Sequence, residues 1–160
     1  MFINKGENFS SEGLESKVLF YGGEFGYCFS NFAAFAVIWQ GRTWMTSEHA
    51  YQAAVFDDES IIEEIFNATS AHNALKLAIK YVDKMRSSWQ TEKYAVMKEI
   101  CQAKLDQHSY IQETLKKSGD AELVEDSPKD AYWGRGAVWT GENNLGKVWM
   151  ELREEITIKE

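Results

Sequence analysis

Residues 41–56 read Gly-Arg-Thr-Trp-Met-Thr-Ser-Glu-His-Ala-Tyr-Gln-Ala-Ala-Val-Phe, which combines a glycine turn, a short extended piece and the start of a helix. Thr46 and Ser47 supply the hydroxyls that commonly cap a helix N-terminus. A helix that begins there places Glu48 and Gln52 on one face, because residues four apart lie one above the other. The stretch therefore predicts a carboxylate that shares a helix face with an amide.

The same stretch also fits a capped amphipathic helix in which Glu48 only interacts with the helix dipole. The choice between these two interpretations depends on the rest of the chain.

The composition predicts a globular protein. The chain has 160 residues, of which 44% are hydrophobic and one is proline, so we expect one domain that needs no metal or disulfide for its core. The net charge of −8, from 17 basic and 25 acidic side chains, opposes non-specific binding to nucleic acid. A small phosphorylated ligand remains compatible with this charge, because a local pocket needs only a few basic groups.

The cysteines and histidines form no ligand pattern. Cys28 and Cys101 belong to no CxxC or Cys/His motif, and His49, His72 and His108 are dispersed, so we expect free thiols, no metal and no cofactor. The N-terminus does not resemble a signal peptide, and no apolar stretch is long enough to span a membrane. These features predict a soluble cytoplasmic protein.

The remaining patterns predict a mainly helical fold with a few short strands. Residues 1–16 are polar and glycine-punctuated and are interpreted as an N-terminal arm, with the domain at residues 17–160. Helical periodicity covers most of residues 46–117, and a last helix is expected to begin at Asn143 or Asn144 as its cap. Short strands are expected at 18–21, 36–39, 42–44 and 122–125, the middle two forming a hairpin.

Two irregular stretches are candidates for binding. Residues 129–146 carry closely spaced glycines and two tryptophans, which is typical of a shaped loop. Residues 29–32 fit either a turn between packed rings or a binding loop in which Asn31 reads the edge of a base or a sugar hydroxyl. The six tryptophans either fill the core, which is the default for any one of them, or line a pocket that stacks a planar ligand.

Three separated motifs together resemble the NADAR superfamily, and most closely its short, single-domain YbiA-like members. The resemblance extends from about residue 20 to about residue 155 in consistent order. The motifs are Phe-Ser-Asn-Phe at 29–32; Gly41 and Trp44 with Thr-Ser-Glu-His at 46–49, Gln52 and Phe56; and Ser-Pro-x-Asp-x-x-Trp-Gly-x-Gly at 127–136 with Gly-x-Asn-x-Leu-Gly at 141–146, Met150 and Arg153.

The resemblance implies a mainly helical fold with a few short strands and an enzyme that cleaves an N-glycosidic bond. YbiA-like members are linked to hydrolysis of ribosylaminopyrimidine phosphates, early riboflavin-pathway intermediates, to ribose 5-phosphate and a free pyrimidine. Other branches remove ADP-ribose from guanine in nucleic acid. A third alternative is a non-catalytic module that binds ADP-ribose or a related nucleotide. The presence of two candidate carboxylates, Glu48 and Asp130, argues against this alternative, because a carboxylate beside an anionic ligand weakens affinity.

The resemblance also implies a set of site residues. Cleavage of a ribosyl C–N bond passes through a cation-like sugar, which a nearby carboxylate stabilises. Glu48 is expected to be the main catalytic group and Asp130 its partner, and Lys104 is a candidate for a Schiff base with the sugar. The candidates for substrate binding are Trp44, Trp89 and Trp133 for stacking, Asn31, Asn143 and Gly134 from the motifs, and Arg86, then Lys104 or Arg135, for the phosphate.

One departure concerns the phosphate. Relatives carry a Gly-Arg pair ahead of the Arg-x-x-Trp element, whereas residues 78–81 here read Ala-Ile-Lys-Tyr. If that arginine contacts phosphate in relatives, this chain has lost the contact or replaced it with Lys80 or Lys84.

Overall fold

The computed structural model describes residues 2–4, 16–21 and 25–160. Met1 and residues 5–15 and 22–24 lie outside the described residues, so most of the predicted arm does too, and its boundary stays a prediction. The chain divides into two compact units, Asn31–His108 and the pair of segments Met1–Ser30 and Ser109–Glu160.

The described residues form a mainly helical fold with a few short strands, as predicted. The strands are β1 (Phe2–Asn4), β2 (Ser16–Leu19), β3 (Val37–Trp39), β4 (Arg42–Trp44) and β5 (Glu122–Val124). The α-helices are α1 (Ser47–Ala54), α2 (Glu59–Phe66), α3 (Ala71–Lys80), α4 (Trp89–Gln107), α5 (Ser109–Lys117) and α6 (Asn144–Lys159), and Tyr27–Phe29 and Val82–Lys84 form short 3₁₀ helices.

The unit at Asn31–His108 contains the predicted hairpin. Strands β3 and β4 pair antiparallel, with Trp39 opposite Arg42. The two residues of the turn, Gln40 and Gly41, have φ values of 50° and 76°. A turn with two left-handed residues matches the twist of the strands, which explains why the glycine lies there.

Helix α1 is the central helix of this unit, because every residue from Ser47 to Ala53 is buried. Its cap is the predicted one: the Thr46 hydroxyl accepts a hydrogen bond from the backbone N–H of His49 at 3.2 Å. Helices α2 and α3 begin in the same way, since the side chains of Asp58 and Ser70 accept backbone N–H groups.

The helical region predicted over most of residues 46–117 is confirmed, and it is broken at His108 between α4 and α5. Helix α4 ends at Gln107, and His108 is extended, with φ −131° and ψ 106°. The His108 ring packs edge-on against Phe35, with ring centroids 5.1 Å apart, and its Nε2 lies 2.6 Å from the carbonyl oxygen of Ala36. These tertiary contacts hold His108 out of the helix that its neighbours favour.

The other unit contains a parallel sheet in the order β1-β2-β5, in which Val18 lies opposite Leu123. Strand β2 begins two residues before the predicted start. The same unit contains an aromatic cluster of Phe20, Phe29 and Trp149. The centroids of the Phe29 and Trp149 rings are 5.1 Å apart, and the indole N–H of Trp149 donates to the Phe29 carbonyl oxygen at 3.0 Å.

Within the described part of the chain, no helix combines the length and apolar character needed to cross a membrane.

Candidate functional site

The carboxylate of Glu48 lies in the first turn of α1 and is only 6% exposed. One of its oxygens, Oε1, accepts a hydrogen bond of 2.7 Å from the Gln52 amide one helical turn later. Its backbone N–H donates to the carbonyl oxygen of Asn31 at 3.1 Å. The predicted shared face of Glu48 and Gln52 is confirmed, and Gln52 fixes the orientation of a buried carboxylate.

A second buried charge, on Lys104, lies in the same unit. Lys104 is fully buried on α4, and its ammonium group lies 3.5 Å from the Ser47 hydroxyl. Ser47 in turn donates to the side-chain oxygen of Asn31 at 3.1 Å. Asn31, Ser47 and Lys104 therefore form one buried polar network beside Glu48, which is the residue after Ser47.

The sequence marks Ser47 only as a possible helix cap, whereas the structure makes it the link between Asn31 and Lys104. The signal that it carries is a hydroxyl placed directly before the candidate carboxylate. Its partners lie 16 and 57 residues away in the chain, so this link depends on the tertiary fold and no local pattern indicates it.

Two of the predicted binding residues, Trp44 and Arg86, line a cavity of about 240 Å³ in this unit. Its other described lining residues include Trp39, Phe56 and Asp57 but not Glu48. The structure therefore brings Trp44 and Arg86 together at a cavity that Glu48 does not line.

Arg86 is held by its neighbours. Its Nε donates to the carbonyl oxygen of Ala54 at 2.9 Å, Nη1 pairs with the Glu92 carboxylate, and the guanidinium lies 5.1 Å from the centre of the Trp89 ring. Trp89 is 2% exposed and packs against Tyr51. The charge of Arg86 is thus already shared with Glu92, and Trp89 lies in the core of this unit.

Lys80 and Lys84, the possible replacements for the missing arginine, are both exposed.

Among the described residues, no group of three or more His, Cys, Asp or Glu side chains is arranged to hold a metal ion.

The predicted loop at residues 129–146 lies in the other unit and is shaped by Asp130. One carboxylate oxygen of Asp130 accepts the backbone N–H groups of Tyr132 at 2.9 Å and Trp133 at 2.8 Å. The Trp133 ring stands edge-on to the Tyr132 ring, with centroids 4.7 Å apart. Asp130 therefore has a structural task in the loop, and its catalytic role stays a prediction.

Asn143 and Gly134 also shape this part of the chain. The Asn143 side chain accepts the backbone N–H of Glu125 and donates to the carbonyl oxygen of Leu123, each at 2.9 Å. It lies at the predicted start of α6, but its side chain holds β5 instead of capping the helix. At Gly134 a Cβ would lie 2.9 Å from the Cβ of Ser127, so the loop leaves no room for a side chain.

Arg135, the last of the phosphate candidates, braces the same loop. Its guanidinium pairs with the Asp126 carboxylate, donates to the carbonyl oxygen of Gly136 at 2.9 Å and lies 4.2 Å from the centre of the Trp139 ring.

The chain matches the NADAR domain family over residues 19–157. It is 40% identical over 131 residues to the N-glycosidase YbiA of Escherichia coli (strain K12), which covers 82% of each chain. It is 35% identical over 144 residues to a riboflavin biosynthesis protein of Vibrio vulnificus (strain YJ016), covering 89% of this chain and 39% of that protein. The solution NMR structure of E. coli YbiA is similar, with a TM-score of 0.83 and 38% identity over 92% of this chain and 89% of that one.

Proposed function

The chain belongs to the NADAR family, and on that premise we propose that it is an N-glycosidase acting on ribosylaminopyrimidine phosphates, early intermediates of riboflavin biosynthesis. In the proposed reaction, water adds at C1′ of the ribose as the bond from C1′ to the pyrimidine amine breaks. The hydroxyl stays on C1′ and the proton goes to the amine nitrogen. The products are ribose 5-phosphate and a free aminopyrimidine.

The observation that carries this proposal is the buried, oriented carboxylate of Glu48. Positive charge develops on the ribose as the C–N bond breaks, and a carboxylate fixed before the reaction stabilises that charge more than it stabilises the neutral sugar. Burial strengthens the interaction because little water is present to screen it. Gln52 supplies the orientation through its 2.7 Å hydrogen bond.

The network next to Glu48 contains two further candidates, Asn31 and Lys104, which both contact Ser47. Substrate recognition by Asn31 stays a prediction, because its side-chain oxygen already accepts from Ser47 and its amide nitrogen donates to the Met97 sulfur. Lys104 offers a covalent route, in which its Nζ, once deprotonated, bonds to C1′ as the bond from C1′ to the heterocycle amine breaks and a proton passes to that leaving nitrogen. The sugar ring then opens to an imine on Lys104, and water hydrolyses the imine to release the sugar and the free amine. Borohydride reduces such an imine, so a trapped adduct on Lys104 separates this route from direct attack by water.

The other binding residues remain predictions: Trp44, Trp89 and Arg86 in one unit, and Trp133, Gly134 and Asn143 in the other, with Asp130 as a second carboxylate.

The test is release of ribose 5-phosphate from a ribosylaminopyrimidine phosphate by the wild type and by Glu48→Gln. Since the amide keeps the size of the side chain but removes its charge, we expect kcat to fall by about 10²–10⁴ while ligand binding persists. Glu59→Gln is the matched control, because Glu59 also lies in the first turn of a helix but is exposed.

An oligonucleotide carrying ADP-ribosylated guanine is assayed in parallel. If only the oligonucleotide is cleaved, the chain is an ADP-ribosyl hydrolase and the proposed substrate is wrong. If neither compound reacts but ADP-ribose binds, the catalytic role of Glu48 is wrong as well.

A further inference from the structure

His49 is fully buried, and both nitrogens of its ring are engaged. Nδ1 lies 2.8 Å from the Thr46 hydroxyl, and Nε2 lies 3.0 Å from the carbonyl oxygen of Ala68. A carbonyl oxygen can only accept a hydrogen bond, so Nε2 carries the proton. In the neutral ring Nδ1 then accepts from the Thr46 hydroxyl, which itself accepts the backbone N–H of His49.

These bonds connect the start of α1 to another part of the same unit. Thr46 is the cap of α1, and Ala68 lies between the end of α2 at Phe66 and the start of α3 at Ala71. Glu48 lies between Thr46 and His49 in the chain, so the bonds of the His49 ring hold the first turn that carries it. A further bond holds this turn, because the carbonyl oxygen of Asn31 accepts the backbone N–H of Glu48.

The same contacts argue against an acid or base role for His49, although a histidine next to a candidate carboxylate suggests one. Each nitrogen already has a protein partner, and the ring is not exposed to solvent. A general acid or base must reach the proton that it transfers.

We propose that His49 is a positioning residue, which braces the first turn of α1 between Thr46 and Ala68 and so keeps the Glu48 carboxylate in its reactive orientation. The inference rests on the proposed function only in that Glu48 is taken as the catalytic group. Small displacements of a catalytic group lower the rate without a matching loss of substrate affinity.

Three substitutions separate the two bonds of the ring. His49→Gln keeps an N–H near the position of Nε2 but loses the acceptor for Thr46. His49→Asn keeps an acceptor near the position of Nδ1 but does not reach Ala68. His49→Phe loses both bonds and keeps the ring. The matched control is His108→Gln, because His108 also lies within hydrogen-bond distance of a backbone carbonyl, that of Ala36.

We expect the wild type to have the highest kcat, His49→Gln and His49→Asn to have lower values, and His49→Phe to have the lowest. The Phe variant should lose about tenfold to a hundredfold in kcat, with KM unchanged within about twofold. The control should keep its kcat. Neither Gln nor Asn transfers a proton as histidine does, so substantial activity in these two variants distinguishes positioning from acid or base chemistry.

A readout that needs no turnover is the NMR signal of the Gln52 side-chain amide, which donates to Glu48 Oε1. This signal should move in His49→Phe and stay in place in His108→Gln. Long-range proton–nitrogen correlations of the wild type should show the tautomer with the proton on Nε2.

Two results would overturn the proposal. The first is a Phe variant with wild-type kcat and an unmoved Gln52 signal. The second is a Gln variant as inactive as the Phe variant while the Gln52 signal stays in place, since His49 would then act in the chemistry itself. If the wild type does not release ribose 5-phosphate, the proposed function fails alone, and the tautomer and the Gln52 signal still decide the role of His49. If the Phe variant does not fold, the Gln and Asn variants carry the comparison.

Discussion

At the scale of single residues, Asp130 shows how one side chain combines a structural and a predicted catalytic role. Its Oδ1 accepts two backbone N–H groups, from Tyr132 and Trp133. An amide oxygen also accepts such bonds, although it accepts them more weakly than a carboxylate oxygen does. Only the carboxylate carries charge. Substitution can therefore separate the shape of the loop from the charge of the residue.

We predict that Asp130→Asn keeps the free energy of unfolding within about 1 kcal/mol of the wild type, while kcat falls at least about tenfold. Asp130→Ala should lose kcat as well, and its free energy of unfolding should fall by about 1–3 kcal/mol, because two backbone donors lose their acceptor. Urea denaturation and the ribose 5-phosphate assay measure the two effects. An Asn variant with wild-type kcat would contradict a catalytic role for Asp130.

The thiol of Cys101 gives a prediction for the dependence of stability on pH. Burial raises its pKa from 9.0 to about 12, and the nearby charge of Lys104 opposes this rise only in part. The unfolded thiol ionises at lower pH than the folded one, so this residue contributes full stability below pH 9 and loses that contribution as the pH rises towards 12.

The free energy of unfolding of the wild type relative to Cys101→Ala should therefore be constant below about pH 8.5. Above pH 9 the difference should fall by about 1.4 kcal/mol per pH unit. Urea denaturation of both proteins between pH 7.5 and pH 10.5 measures it, and other titrating groups cancel in the comparison. A difference in the free energy of unfolding that stays constant over this whole pH range would show that burial does not raise the pKa of the native Cys101 thiol.

At the scale of elements, two glycines show two different reasons why a position favours glycine. Gly41 has a φ of 76°, and an added Cβ would meet nothing within 4 Å, so only its backbone conformation is at stake. Gly146, in α6, would place a Cβ 2.1 Å from the Leu123 carbonyl oxygen and 2.4 Å from the Asn143 amide nitrogen. There the helix approaches β5 too closely for any side chain.

We predict that Gly41→Ala costs about 1–2 kcal/mol of stability, which is the strain of a left-handed residue. Gly146→Ala should cost about 3 kcal/mol or more, because β5 and the start of α6 must move apart. Chemical denaturation of the two variants beside the wild type gives both values. Equal costs would mean that α6 shifts easily.

The elements that the sequence predicted well are those whose signals are local. The side chains of Thr46, Asp58 and Ser70 each bond a backbone N–H within three residues, so the starts of α1, α2 and α3 could be predicted from neighbouring residues. The pairing of β2 with β5 joins Lys17 to Glu122, and nothing near either residue indicates the other. The end of α4 at Gln107 likewise depends on distant contacts, those of His108 with Phe35 and Ala36.

The candidate site shows the same division. The hydrogen bond from Gln52 to Glu48 follows from a spacing of four in a helix, and the sequence predicted the shared face. The approach of Lys104 to Ser47 depends on how α4 lies against α1, and only the structure gives it. The burial of Trp89 also depends on packing, since a tryptophan at a helix start fits a core and a pocket equally well.

At the scale of the whole molecule, the net charge of −8 sets the long-range electrostatics. Proteins that bind nucleic acid through phosphate contacts bind more tightly as salt is removed. We predict no binding of an unmodified DNA duplex at about 0.15 M salt, and none at about 0.01 M, where the screening length grows to about 30 Å and repulsion extends further. Fluorescence polarisation of a labelled duplex measures it, and affinity that increases at low salt would indicate a basic surface.

The carboxamide of Asn143 also has a consequence for how molecules of this protein meet each other. The Val124 carbonyl of β5 bonds Phe20, so the Leu123 carbonyl and the Glu125 N–H point to the other side of the strand, where Asn143 bonds both. An exposed row of such groups is a template on which a second molecule can add a strand and start aggregation. Here a side chain from the same molecule already fills that place, so this side of the three-stranded sheet is protected from intermolecular pairing.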